Sequence, residues 1–402
     1  MPGVPATTTV SEAVLRRRGD LIELSHSIHA EPELAFAEVR SCAKTKVLLA
    51  ERGFEIEAAA GGLDTAFRAT FGSGPLVVGV CAEYDALPEI GHACGHNIIA
   101  ASAVGTALAL AEVADELGLT VVLIGTPAEE SGGGKALLLE AGVFDDIAIA
   151  VMLHPGPLDI AAARSLALSE VLVRYQGRES HAAVAPYLGV NAADAVTVTQ
   201  VAIGLYRQHL APGQMMHGIV TDGGQAPNII PARAELRYTM RANDSSSLRD
   251  LEENMAGCFL AGAVGTGCDY IVEEAAPPYA ELTPDRWLAE AFRAEMQRIG
   301  RTPLPAELEA TLPLGSTDMG NVTQFLPGIH PIVGIDAGGA SVHQPAFAAA
   351  AVQPDGDKAV TEGAIMLART VVALAETPAQ RDRVLERALS RGHRQDAKDG
   401  VR

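Results

Sequence analysis

Residues 35–52 (AFAEVRSCAKTKVLLAER) place apolar side chains at helical spacing, which predicts a helix, and a short strand is expected near Glu55. Leu76-Val77-Val78-Gly79-Val80-Cys81 is a compact apolar run that reads as a buried strand. Residues 83–96 look like a loop, and a long helix is expected from Asn97 through an Ala- and Gly-rich stretch. A second buried strand (LTVVLIG, 119–125) leads into the loop Thr126-Pro127-Ala128-Glu129-Glu130. A helix over 135–141 and a third apolar strand over 147–153, ending at His154, follow. Nearly all-apolar strands alternating with helices predict a parallel α/β sheet.

The rhythm changes after Arg164. A strand over 168–176, a helix over 191–210, strands over 217–221 and 232–241, a helix over 246–263 and a strand over 270–274 give the order β-α-β-β-α-β of a ferredoxin-like module. In its 232–241 strand, Ala234, Leu236, Tyr238 and Met240 alternate with Arg233, Glu235, Arg237 and Arg241, so one face packs on helices and the other stays open. Helical patterning resumes at RWLAEAFRAEMQRIG, then a strand-like stretch over 331–335 and a helix over 357–374. The predicted fold is α/β: a discontinuous domain with a mostly parallel sheet (1–166 and 279–376), a ferredoxin-like α+β domain inserted at 167–278, and a charged tail at 377–402 that frays.

Length and charge narrow the function classes. A chain of 402 residues exceeds the roughly 250–300 that one core sustains, which agrees with two domains. Thirty Lys and Arg against 50 Asp and Glu leave a net charge of −20, which repels phosphate backbones and anionic lipid. No apolar run reaches membrane-spanning length, and the first twenty residues lack a secretory signal's apolar core. Five cysteines without paired spacing argue against a disulfide framework. The expectation is a cytoplasmic protein with no nucleic-acid or membrane partner.

The informative chemistry lies where these strands end. Cys94 and His96 follow the first apolar strand, Glu129 and Glu130 the second, His154 the third, and His343 sits in the loop after the late strand. Open parallel sheets bind ligands beyond the carboxyl ends of their strands. Thiolate, imidazole and carboxylate brought to one rim form a ligand set for zinc or a related divalent ion. Consecutive side chains of an extended segment point apart, so the adjacent glutamates are expected to divide the work, one binding the ion and one moving a proton. That division suits amide hydrolysis. Single histidines such as His92, His330, His26, His29, His209, His217 and His393 read as packed or surface residues.

Asp85 with Gly91-His92-Ala93-Cys94-Gly95-His96, the Thr126–Glu130 loop and His154 resemble the co-catalytic metallopeptidase and aminoacylase family. His29-Ala30-Glu31-Pro32-Glu33-Leu34, Gly177-Arg178-Glu179-Ser180-His181-Ala182-Ala183 and Pro227-Asn228-Ile229-Ile230-Pro231 extend the resemblance from about His29 to Leu374. The cysteine-containing branch, with its β-alanyl-lysine-type dipeptidases and p-aminobenzoyl-glutamate hydrolases, is the most similar. The resemblance implies one or two divalent ions, zinc first and manganese or cobalt as alternatives, held by Cys94, His96, Glu130, His154 and His343. It makes Glu129 the general base and acid, and Asp85 the residue that orients the ligands. In the inserted domain, a lid that also dimerises in the family, His181 stabilises the oxyanion of the neighbouring subunit's site. Asn228 touches substrate there, and Arg241 clamps its carboxylate. Where many peptidase branches carry His-x-Asp, this chain has Glu83-Tyr84-Asp85, and His96 is the substitute ligand. Where the related branch has Asp after Cys-Gly-His, it has Asn97.

The implied activity is hydrolysis of small N-acyl amino acids or dipeptides by a homodimer. A thiol hydrolase using Cys94 leaves Glu129, Glu130, His154 and His343 without a task. A non-catalytic binding protein has no reason to keep both the base and the ligands. Gly132-Gly133-Gly134-Lys135 fails as a phosphate loop because Ala136 follows the lysine, and no Gly-x-Ser-x-Gly elbow is present.

Overall fold

The computed structural model describes residues 4–312 and 315–399. Two compact units emerge, one from the residues up to 164 together with those from 282 onward, the other from Ser165–Glu281. In the first unit the strands are β1 (Glu55–Ala58), β2 (Phe67–Gly72), β3 (Leu76–Ala82), β4 (Leu119–Gly125), β5 (Ile149–Val151) and the short β6 (His154–Gly156). β3 runs parallel to both β4 and β5, while β2 adds antiparallel to β4 and β1 antiparallel to β2. Six of the seven β3 positions are buried, as a strand covered on both faces requires.

In the second unit, β7 (Ala167–Gln176), β8 (Ser180–His181), β9 (Met215–Asp222), β10 (Ile229–Ile230), β11 (Arg233–Ala242) and β12 (Asp269–Tyr279) alternate with helices Ala192–Tyr206 and Ser245–Thr266. β7, β9, β11 and β12 form an antiparallel sheet in the order β12-β7-β11-β9, the order of a ferredoxin-like domain. The alternation read along β11 is real: Ala234, Leu236, Tyr238, Met240 and Ala242 are buried, with less buried residues between them. Asn191 and Asp244 cap the two helices through backbone N–H groups of Ala193 and Ser247.

Back in the first unit, β13 (Gly328–Ile329) pairs parallel with β5, completing a six-stranded sheet, and β14 (Ile332–Gly334) pairs parallel with β6. The helix His96–Ala111 is buried at all sixteen positions, the mark of a helix that is apolar all round. It packs against the helices Arg18–His29 and Pro354–Ala375.

Several expectations need correction. The third apolar run is split, with β5 ending at Val151 and His154 opening β6. Helices Ala6–Arg16 and Arg18–His29 and strand β2 add elements that the hydrophobic pattern does not predict. The stretch after Thr377 does not fray as a tail but forms the helix Pro378–Asp399. It is fastened by buried Val384, by Arg381 bonding the Leu117 and Gly118 carbonyls, and by Arg383 paired with Asp285. Among the described residues no helix is long and apolar enough to cross a membrane, and all five cysteines are free.

Candidate metal centre

The loops beyond β3, β4 and β5 and the loop following β14 converge at one end of the first unit's sheet. Gly95, with φ of 72°, caps the buried helix, and a Cβ there would lie 2.5 Å from Pro155 Cγ. Only glycine therefore lets the segment carrying Cys94 and His96 pack against β6, which carries His154. The His343 N–H donates to the Ala93 carbonyl at 3.0 Å, which ties the fourth loop to the first.

Three groups of donor atoms each lie within 4.8 Å of one another: Cys94, His96 and His154; Cys94, Glu130 and His343; and Glu83, His96 and Glu129. The five ligands expected from the sequence are thus gathered, with Cys94 common to two groups. Asp85 works behind them. One of its oxygens accepts from His96 Nδ1 at 3.0 Å, and the other accepts the Glu130 N–H at 3.0 Å. The backbone carbonyl of Asp85 also accepts from His96 Nδ1, at 2.9 Å. Nδ1 is engaged by Asp85, which leaves Nε2 turned to the cluster. Burial works against charging His96, but Asp85, Glu83 and Glu130 together hold its pKa well above the usual imidazole value. Burial, followed by the neighbouring His96, lowers His154 to about 4.

The expectation that Glu129 and Glu130 point apart fails for a local reason. Ala128 takes a left-handed conformation (φ 61°), so the segment is a turn rather than an extended strand. Both carboxylates reach towards His96 Nε2, at 3.9 Å for Glu129 and 3.8 Å for Glu130. They still divide, since Glu130 belongs with Cys94 and His343 while Glu129 belongs with Glu83 and His96. Burial, then Glu83, Glu130 and Asp318, push the Glu129 carboxyl well above the ordinary range.

The donor set fits a divalent ion. Glu83 Oε2, His96 Nε2 and Glu130 Oε1 are buried and have no hydrogen-bond partner. Leaving such atoms unpaired costs about 1–3 kcal/mol each, more for charged groups, and bound cations would give them partners. Asn97 Nδ2 donates to Ser25 Oγ at 2.8 Å and to the Ala351 carbonyl, while its Oδ1 is buried without a partner.

Sequence reasoning missed a neighbouring layer. Lys135, fully buried, donates through Nζ to Glu83 Oε1 and to Asp318 Oδ1, the latter at 2.6 Å, and its N–H donates to Asp318 Oδ2. A lone lysine in the apolar helix GKALLLE was the available signal; its partner 183 residues away was not. His330, between β13 and β14, is also buried with both ring nitrogens unpartnered, 5.6 Å from the His154 ring.

The remaining predicted residues belong to the second unit. His181 lies on β8, paired with Ile229 of β10, and the Ala182 N–H donates to the Asn228 carbonyl at 3.0 Å, so His181 and Asn228 are neighbours. His181 is exposed, and its Nδ1 accepts from the Ala183 and Val184 N–H groups. Arg241 lies on the open face of β11, two residues along from Thr239.

An α/β sheet with this ligand rim and an inserted ferredoxin-like domain defines a class of hydrolases, and the comparisons specify it. Residues 79–371 match peptidase family M20/M25/M40, and the chain belongs to that family. It is 38% identical over 367 residues to the Xaa-Arg dipeptidase of Mus musculus, covering 84% of each chain. It is 31% identical over 268 residues to a p-aminobenzoyl-glutamate hydrolase chain of Escherichia coli, covering 61% of this chain and 56% of that protein. A Bacillus subtilis protein described as a dinuclear metal binding peptidase shares the fold, with a TM-score of 0.66 and 24% identity over 90% of this chain and 99% of its own. The protein is accordingly a hydrolase of peptide or amide bonds.

Proposed function

We propose that the protein is a metal-dependent dipeptidase or N-acyl amino acid amidohydrolase that acts on small substrates with a free carboxylate. The observation that carries this reading is the pair of donor groups, Cys94–His96–His154 and Cys94–Glu130–His343, that share one sulfur. One or two divalent ions held there, zinc first and manganese or cobalt as alternatives, would polarise the scissile carbonyl and acidify water. Glu129, on the rim of the same cluster, takes the proton from that water and returns it to the leaving amine. Asp85 fixes the His96 ring and the turn carrying Glu130. From the second unit, the Arg241 guanidinium clamps the substrate carboxylate and Asn228 contacts substrate. His181, with Nδ1 engaged by backbone, offers Nε2 to the developing oxyanion of a partner subunit in a homodimer.

The curated relatives act, by their names, on Xaa-Arg dipeptides and p-aminobenzoyl-glutamate. A net charge of −20 favours approach of cationic substrates, so dipeptides ending in a basic residue rank first. The test is a hydrolysis screen over such dipeptides and acyl amino acids with Glu129→Gln as the control. The variant should keep its metal and lose turnover by about 10²–10⁴-fold. Turnover at the wild-type rate would remove Glu129 as the base.

A further inference from the structure

We propose that Glu83 is itself a metal ligand, its Oε2 supplying an oxygen donor to the ion that His96 binds, with Lys135 and Asp318 as positioning residues that hold it there. This rests on the metal centre proposed above and enlarges its ligand set.

Glu83 stands just beyond β3, fully buried, and its two oxygens live in different surroundings. Oε1 is taken by the Lys135 ammonium, while Oε2 has no hydrogen-bond partner and faces His96 Nε2 at 3.5 Å. Nε2 is likewise buried and unpartnered, because Asp85 occupies Nδ1. A separation of 3.5 Å is long for a charge-assisted hydrogen bond, which runs about 2.7–2.9 Å. It is close to the separation of two atoms that bind one ion at about 2.0–2.2 Å each, which is about 3.0–3.4 Å from right-angled to tetrahedral geometry.

Charge points the same way. Lys135 is shared between Glu83 and Asp318, both fully buried, so a single ammonium faces two carboxylates. An uncompensated buried carboxylate is costly, and a cation on its free oxygen offsets it. The hydrogen bonds from Lys135 N and Nζ to Asp318 fix the lysine, and the lysine fixes the carboxylate so that Oε2 turns inward. An added oxygen donor raises the coordination number of that ion and widens tolerance for harder metals such as manganese.

The experiment is cobalt titration of metal-free full-length protein, followed by elemental analysis and visible absorption. Wild-type protein that takes up no metal would end the parent reading before Glu83 is tested. Given wild-type uptake, Glu83→Gln should weaken the ion at His96 at least about tenfold and intensify the cobalt band as coordination falls. Asp318→Asn loosens the lysine that positions Glu83 but leaves the Glu83 oxygen, so it should shift the cobalt band less than Glu83→Gln does. Wild-type affinity and band in Glu83→Gln would overturn the proposal. So would an Asp318→Asn spectrum matching that of Glu83→Gln, because the effect of Glu83 would then be structural.

Discussion

Ala128 shows how one residue's conformation arranges the site. It is buried in the left-handed region, where an alanine rarely sits, and its N–H is held by Glu38 Oε1 at 2.8 Å. The other Glu38 oxygen accepts from Thr65 Oγ1 at 2.8 Å, and the Tyr84 hydroxyl donates to the Thr65 carbonyl. Glu38 therefore braces the turn that brings Glu129 and Glu130 to the same cluster. Burial is the main cause that pushes its carboxyl from 4.5 up to about 6. Because the folded value is the higher one, protonation favours the fold. That stability is fully present below the unfolded pKa and is lost as pH rises through about 6. The shift corresponds to about 2 kcal/mol. Chemical denaturation between about pH 4 and about pH 7 should show wild type losing about that much relative to Glu38→Gln, which cannot titrate. A pH-independent difference between the two proteins would contradict this account of Glu38.

At the scale of elements, legibility follows chemical contrast. Strands β3 and β4 are plain in the sequence because nearly every position is apolar, and β11 because its faces alternate. β2 (FRATFG) is hidden: Arg68 interrupts it, and the reason is a pairing with Asp146 that only the fold supplies. The helix Pro378–Asp399 reads as a fraying tail since its polar, Arg-rich composition conceals a few anchoring contacts to distant backbone. That Cys94, His96, the Glu129–Glu130 pair, His154 and His343 gather at one end of the sheet is legible from strand order, because parallel strands deliver their following loops to one rim. Lys135 and Asp318 are not legible in this way, since their meaning lies in a contact between residues 183 positions apart, with the second unit inserted between them. The expected opposite orientation of Glu129 and Glu130 fails because a left-handed alanine is invisible to a rule about extended chains.

At the scale of the whole molecule, the first unit holds the candidate metal-binding donors, and the second holds His181, Asn228 and Arg241. If His181 serves the site of a partner subunit, two inactive variants must complement. Mixing His181→Ala with Glu129→Gln should restore part of the wild-type turnover in heterodimers, since one of the two sites then has both groups intact. No recovery on mixing would argue against supply across a dimer. The central claim is that a divalent ion joins sulfur, nitrogen and oxygen donors from four loops into one catalytic centre. The most direct measurement is hydrolysis of a basic dipeptide before and after a chelator strips the full-length protein, with metal content determined on the same samples. The account predicts that turnover disappears with the metal and returns when zinc, manganese or cobalt is added back. Undiminished turnover by protein shown to be free of metal would contradict it.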